Sequence, residues 1–137
     1  MVKHIFLSLA VLFFVTSSAW CGPTMQMENG EWEFTVEAEI TGMPMKMPPM
    51  TYKQCITKKD PVPQSSQPDQ KCVTKDVNYS GNTVTWTTVC KSPGGEMTGK
   101  GEATYEKESM QGSMTMDVQG RTMVSKYKGH RIGPCKK

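Results

Sequence analysis

The chain has 137 residues, 36% of them hydrophobic, with 16 basic and 13 acidic side chains and a formal net charge of +3. That is length for a single domain. The small charge excess is scattered and has no basic–aromatic interleaving, which excludes a nucleic-acid footprint.

The amino terminus carries Lys3 and His4, then an apolar run from Ile5 to Val15, then Thr16, Ser17, Ser18 and Ala19. A basic start, a short apolar stretch and a small-residue zone predict a secretory signal peptide over residues 1–21. The apolar stretch is eleven residues long, against the about 20 that a membrane-spanning helix needs. Ser17-Ser18-Ala19 and Ala19-Trp20-Cys21 both offer the small-x-small pattern of a cleavage site. Lipid anchoring at Cys21 is not expected, because Trp20 before it is large. Removing Lys3 leaves 16 − 1 = 15 basic side chains against 13 acidic ones, a net charge of +2 for residues 22–137. No transmembrane span is expected in that part, and the protein is expected in the periplasm or outside the cell.

Residues 22–137 read as a single all-β domain. Glu31 to Ile40 alternates strictly, with Trp32, Phe34, Val36, Ala38 and Ile40 apolar and the odd positions polar, the pattern of a half-buried antiparallel strand. Residues 51–57 make a shorter strand with Tyr52 and Ile56 on one face. Residues 58–70 are polar and carry Pro61, Pro63 and Pro68, which predicts a loop. Residues 71–91 predict a hairpin turning at Gly81-Asn82, with Val73, Val77, Tyr79, Val84 and Trp86 gathered on one face.

Pro93-Gly94-Gly95 marks the next turn. Met97, Gly99, Gly101, Ala103 and Tyr105 then alternate with polar residues, Met110, Met114, Met116 and Val118 continue the rhythm, and Gln119-Gly120 turns into a last strand bearing Met123 and Tyr127. About seven strands joined by short turns, with no helical period, predict an antiparallel up-and-down meander that curls into a curved sheet or small barrel. Gly99 and Gly101 on the inner face allow such a bend or leave room for a ligand. Glu33, Glu37 and Glu39 would face Lys126 and Lys128 if the first and last strands paired.

Beyond Cys21, four cysteines remain: Cys55, Cys72, Cys90 and Cys135. An even number in a small exported domain predicts two disulfides, and their long spacings do not suit a zinc site. With a regular two-residue hairpin loop, Cys72 and Cys90 fall on opposite faces, which favours Cys55–Cys72 with Cys90–Cys135. A β-bulge would shift the register and favour Cys72–Cys90 with Cys55–Cys135 instead.

Gly30-Glu31-Trp32-Glu33, Gly42-Met43-Pro44-Met45 running to Gln54-Cys55, and the closing Gly129-His130-Arg131-Ile132-Gly133-Pro134-Cys135 resemble the domain of unknown function 3617 family of exported bacterial proteins. The resemblance spans nearly all of residues 22–137. It implies a bacterial envelope protein with a β fold and carries over no activity and no catalytic residues.

The chemistry-bearing residues are few. Past residue 21 a single histidine, His130, remains, and no serine lies in a G-x-S-x-G context, so catalysis is not expected. The methionines stand out. Met97, Met110, Met114, Met116 and Met123 fit the core period, where a thioether fills gaps well. Met43-Pro44-Met45-Lys46-Met47-Pro48-Pro49-Met50 cannot be a regular core face, because its prolines break a strand. This segment either folds over the open end of the barrel as a plug, or offers an adaptable apolar surface to a partner, or binds Cu(I) through soft thioethers. Met25 and Met27 are expected nearby. The expected function is thus an envelope binding or interaction module for an unidentified protein or small ligand, without a required cofactor. The alternative is a periplasmic Cu(I)-binding protein using Met43, Met45, Met47 and Met50.

Overall fold

The structure is a computed structural model that describes residues 25–44, 46–64 and 70–136. The expected signal peptide, with Cys21, lies outside the described residues. Seven antiparallel strands are present: β1 (Gly30–Ile40), β2 (Met50–Ile56), β3 (Lys71–Ser80), β4 (Thr83–Ser92), β5 (Gly95–Glu106), β6 (Ser109–Val118) and β7 (Arg121–Gly133). They form one sheet in the order β2-β1-β7-β6-β5-β4-β3, curled into a half-barrel. The first and last strands do pair, which sets Glu37 opposite Lys126, whereas Glu33 faces His130, Glu39 faces Val124 and Lys128 faces Thr35. Among the described residues no helix is long and apolar enough to cross a membrane.

Strand alternation decides what fills the concave side. Trp32, Phe34, Val84, Ala103, Tyr105, Met110 and Tyr127 all point inward and are buried. The Trp32 and Tyr105 rings meet edge-on with centroids 5.5 Å apart, and Phe34 stacks on Tyr52 at 5.3 Å, separations at which aromatic pairs attract. The two inner glycines make room for neighbouring side chains. A β-carbon on Gly101 would collide with the Trp86 indole, and one on Gly99 would press against the methyl ends of Met114 and Met116. The space they leave is therefore occupied by the protein itself.

Strands β2 and β3 are consecutive in the chain yet form opposite edges of the sheet. The connection between them must cross the open side of the half-barrel. Residues 58–64 and 70 lie outside the strands, as expected, but Pro61, Val62 and Pro63 are buried rather than solvated. Their position follows from three anchors: the Tyr105 hydroxyl donates to the Pro61 carbonyl, the Gln54 amide donates to the Val62 carbonyl at 3.4 Å, and the Gln64 amide donates to Gln54 Oε1 at 2.8 Å. Met25 and Met27 complete this lid, with Met27 bridging to Lys107. Both belong to the core at this end of the sheet, away from the Met–Pro segment where they were expected.

The β3–β4 hairpin turns at Gly81-Asn82 as expected, with Tyr79 opposite Val84. The register then slips between Lys75 and Asn78, so that Asp76 and Val77 both stand against Trp86, a β-bulge in which Asp76 takes a positive φ of 54°. Two expectations fall with it. Val73 turns to the outer face, 64% exposed, and Cys72 comes directly opposite Cys90. The disulfides are accordingly Cys72–Cys90 and Cys55–Cys135, not the Cys55–Cys72 and Cys90–Cys135 pairing that a regular hairpin favours. Each bridge ties down one edge: β3 to its neighbour β4, and β2 to the segment following β7. Unpaired edge strands are where an open sheet frays or aggregates.

Candidate functional site

At the end of the half-barrel opposite the lid, the chain leaves β1 at Ile40 and returns to β2 at Met50. Gly42, at φ 85°, makes the turn. The Met43 amide donates to the Ile40 carbonyl at 3.1 Å, and the Met47 amide to the Ala38 carbonyl at 3.3 Å. Lys46 pairs with Glu39 across the same gap at 3.7 Å. The prolines at 44, 48 and 49 stop a regular ladder, yet these contacts lay the segment along β1 as an irregular continuation of β2. It does not plug the barrel. Met43, Met47 and Met50 are 43%, 42% and 55% exposed, whereas the other methionines of the described residues are all buried or half-buried. Met45 lies outside the described residues. Between the segment and the ends of β1 and β7 is a hollow of about 350 Å³, bordered by Glu39, Ile40, Met43, Pro44, Lys46 and Val124.

Below the segment the concave face continues, without a lid among the described residues. Met97, Met114, Met116 and Met123 lie there on three neighbouring strands, facing inward as their alternation predicted. Deeper in, burial pushes the phenols of Tyr52, Tyr105 and Tyr127 above their ordinary pKa. The charge of Tyr127 adds to the effect on Tyr52, and those of Tyr52 and Asp60 to the effect on Tyr105, while a Ser125 hydrogen bond works against it at Tyr127. These phenols are held neutral and serve packing and hydrogen bonding: Tyr105 to Pro61, and Tyr127 to the Met114 sulfur at 3.5 Å. The Tyr52 hydroxyl and the Trp86 indole N–H are buried without a hydrogen-bond partner among the described residues.

The closing Gly129-to-Cys135 segment has structural duties residue by residue. Gly129 lies under the Phe34 ring, where a β-carbon would come within 2.7 Å of the ring atoms. Arg131 donates from Nε to the Asn29 carbonyl at 3.0 Å and reaches Glu28 and Glu108 at 3.8 and 3.5 Å, joining the amino-terminal segment to the β5–β6 turn. Cys135 is in the edge-strand disulfide. His130 is exposed and 3.8 Å from Glu33, which also pairs with Lys53. The outer face of β3–β6 holds a polar groove of about 410 Å³, lined by Asn78, Thr85, Thr87, Lys100, Glu102 and Ser113 among others. No three His, Cys, Asp or Glu side chains of the described residues converge as metal ligands.

The family model described as "Protein of unknown function (DUF3617)" matches residues 27–135. No curated protein and no solved structure matches the chain. The match covers the whole sheet, both disulfides and the described lid except Met25, and the chain belongs to that family.

Proposed function

We propose that this DUF3617-family protein is an exported envelope binding or interaction module, and that its contact surface is the Met43–Met50 segment. The observation that carries this reading is the segregation of methionines: those of β5, β6, β7 and the lid are buried or half-buried, while Met43, Met47 and Met50 are exposed within one eight-residue segment, Met43 at the edge of a hollow. Exposed apolar side chains grouped on a backbone that is hydrogen-bonded in place form a pre-organised contact patch, and unbranched thioethers adapt to varied partners. Two disulfides and the lack of a membrane-crossing helix in the described residues are consistent with export. The protein binds rather than catalyses in this reading, with His130 no more than a surface ion-pair partner.

Photo-crosslinking in cells tests the surface. A photoreactive residue at position 43 or 47 should give a discrete adduct, and one at Gln111 on the outer face should not. Equal labelling at the three positions, or none at 43 and 47, overturns the reading. A second reading, Cu(I) ligation by the same loop, is supported by the three exposed thioethers lying within eight residues of one another. Replacing Met43, Met45, Met47 and Met50 by leucine separates the two. Leucine preserves the apolar patch and hence the adduct, but removes any loop affinity for Cu(I).

A further inference from the structure

The inner methionines form a tighter group than their roles as separate core residues require. Met116 on β6 stands directly opposite Met123 on β7. Met114 precedes Met116 by two residues on the same face. Met97 precedes Gly99 by two residues, and Gly99 is the β5 partner of Met116. Met116 is thus the centre of a cross-strand group whose other members are direct or diagonal neighbours. Such neighbours have β-carbons about 5 Å or about 7 Å apart, within reach of one another for a long unbranched side chain. The chain ends of two of them do converge: the methyl carbons of Met114 and Met116 lie 3.4 and 3.2 Å from the point where a Gly99 β-carbon would stand. The missing side chain at Gly99 leaves room for both methyl ends.

We propose that Met114, Met116 and Met123, with Met97 as a fourth donor, bind a soft monovalent cation, Cu(I), at the end of the concave face away from the lid. The donors are neutral thioethers, and the residues paired with them on this face, Ile40, Cys90, Gly99, Gly101 and Ser125, are also uncharged. An uncharged site cannot offset the desolvation of a divalent ion, whereas a singly charged soft ion prefers sulfur to water. Met116 is buried, while Met97, Met114 and Met123 are half-buried toward the open end. The nest is therefore shielded from water on one side and reachable on the other. The Tyr127 hydroxyl donates to the Met114 sulfur at 3.5 Å, using one of its two lone pairs and leaving the other for a metal. The site is distinct from the Met43–Met50 segment and does not depend on that segment's function.

Ag(I), a redox-silent stand-in for Cu(I), tests this with both disulfides intact and any free thiol alkylated. One equivalent added to the purified protein should shift the methionine methyl resonances of residues 97, 114, 116 and 123 and leave those of 43, 47 and 50 in place. Met116→Leu/Met123→Leu keeps the apolar volume and should weaken Ag(I) and competed Cu(I) binding by more than about 100-fold, beyond what loss of an outer-shell partner costs. Shifts confined to the loop methyls, no shift at one equivalent, or unchanged affinity in the double variant overturn the proposal. Should the double variant fail to fold, the methyl shifts of the unaltered protein decide on their own.

Discussion

Replacing Tyr105 by phenylalanine removes one oxygen atom and isolates the bond that holds the lid. Tyr105 is fully buried, its hydroxyl donates to the Pro61 carbonyl, and Pro61 is itself buried. Phenylalanine keeps the edge-on contact with Trp32 and leaves that carbonyl without a donor. An orphaned buried carbonyl costs about 1–3 kcal/mol, so about 2 kcal/mol of stability should be lost. For a domain of this size that is a fall of about 8 °C in Tm. Urea denaturation with the disulfides intact measures it: the midpoint should drop while the m-value holds, because the surface exposed on unfolding is unchanged. Tyr105→Leu, which also gives up the aromatic packing, should cost more. A loss below about 0.5 kcal/mol for the phenylalanine variant, under the usual net worth of one hydrogen bond, would refute the idea that this bond seats the lid.

Two further outcomes are expected. Deleting Asp76 removes the bulge and turns Cys72 to the face away from Cys90; a non-reducing peptide map should then lack Cys72–Cys90 and keep Cys55–Cys135, with a stability loss of about 3 kcal/mol for a loop of 18 residues. A map that still contains Cys72–Cys90 would contradict the register argument. Stability should also fall as pH rises above 10, the ordinary phenol value. The phenols of Tyr52, Tyr105 and Tyr127 are raised by burial and keep their protons in the fold while the unfolded chain releases them. With three such groups the slope is at most about 4 kcal/mol per pH unit. Tyr105→Phe should reduce it by about a third, and a flat profile from pH 9 to pH 11 in urea melts would count against the burial of all three.

The family ending shows how closely a recognisable motif can be bound to the fold rather than to a reaction. Gly129 admits the Phe34 ring, Arg131 ties three segments together, and Cys135 secures an edge strand. Those duties account for the chemical character of the segment without invoking turnover at His130. The exposed methionines have no comparable structural duty, which is why the proposed contact surface is placed on them.

Period-two alternation is a local property, and it sufficed for the strands and for the inward set Trp32, Phe34, Trp86, Tyr105 and Met116. The prolines between Met43 and Met50 likewise marked that segment as something other than core. What alternation could not reveal were events costing or gaining energy only across the sheet. The bulge at Asp76 is one extra residue in a polar stretch, and its effect on Val73 and on disulfide pairing exists only against β4. Pro61 and Val62 sit in a stretch that reads as solvated, and they are buried because β2 and β3 end up on opposite edges with a chain that must cross the gap between them. The approach of Met114 and Met116 to Gly99 depends in the same way on which residues of β5 and β6 face each other. Sequence spacing assigns a side chain to a face; only the register between strands decides which side chains on that face touch.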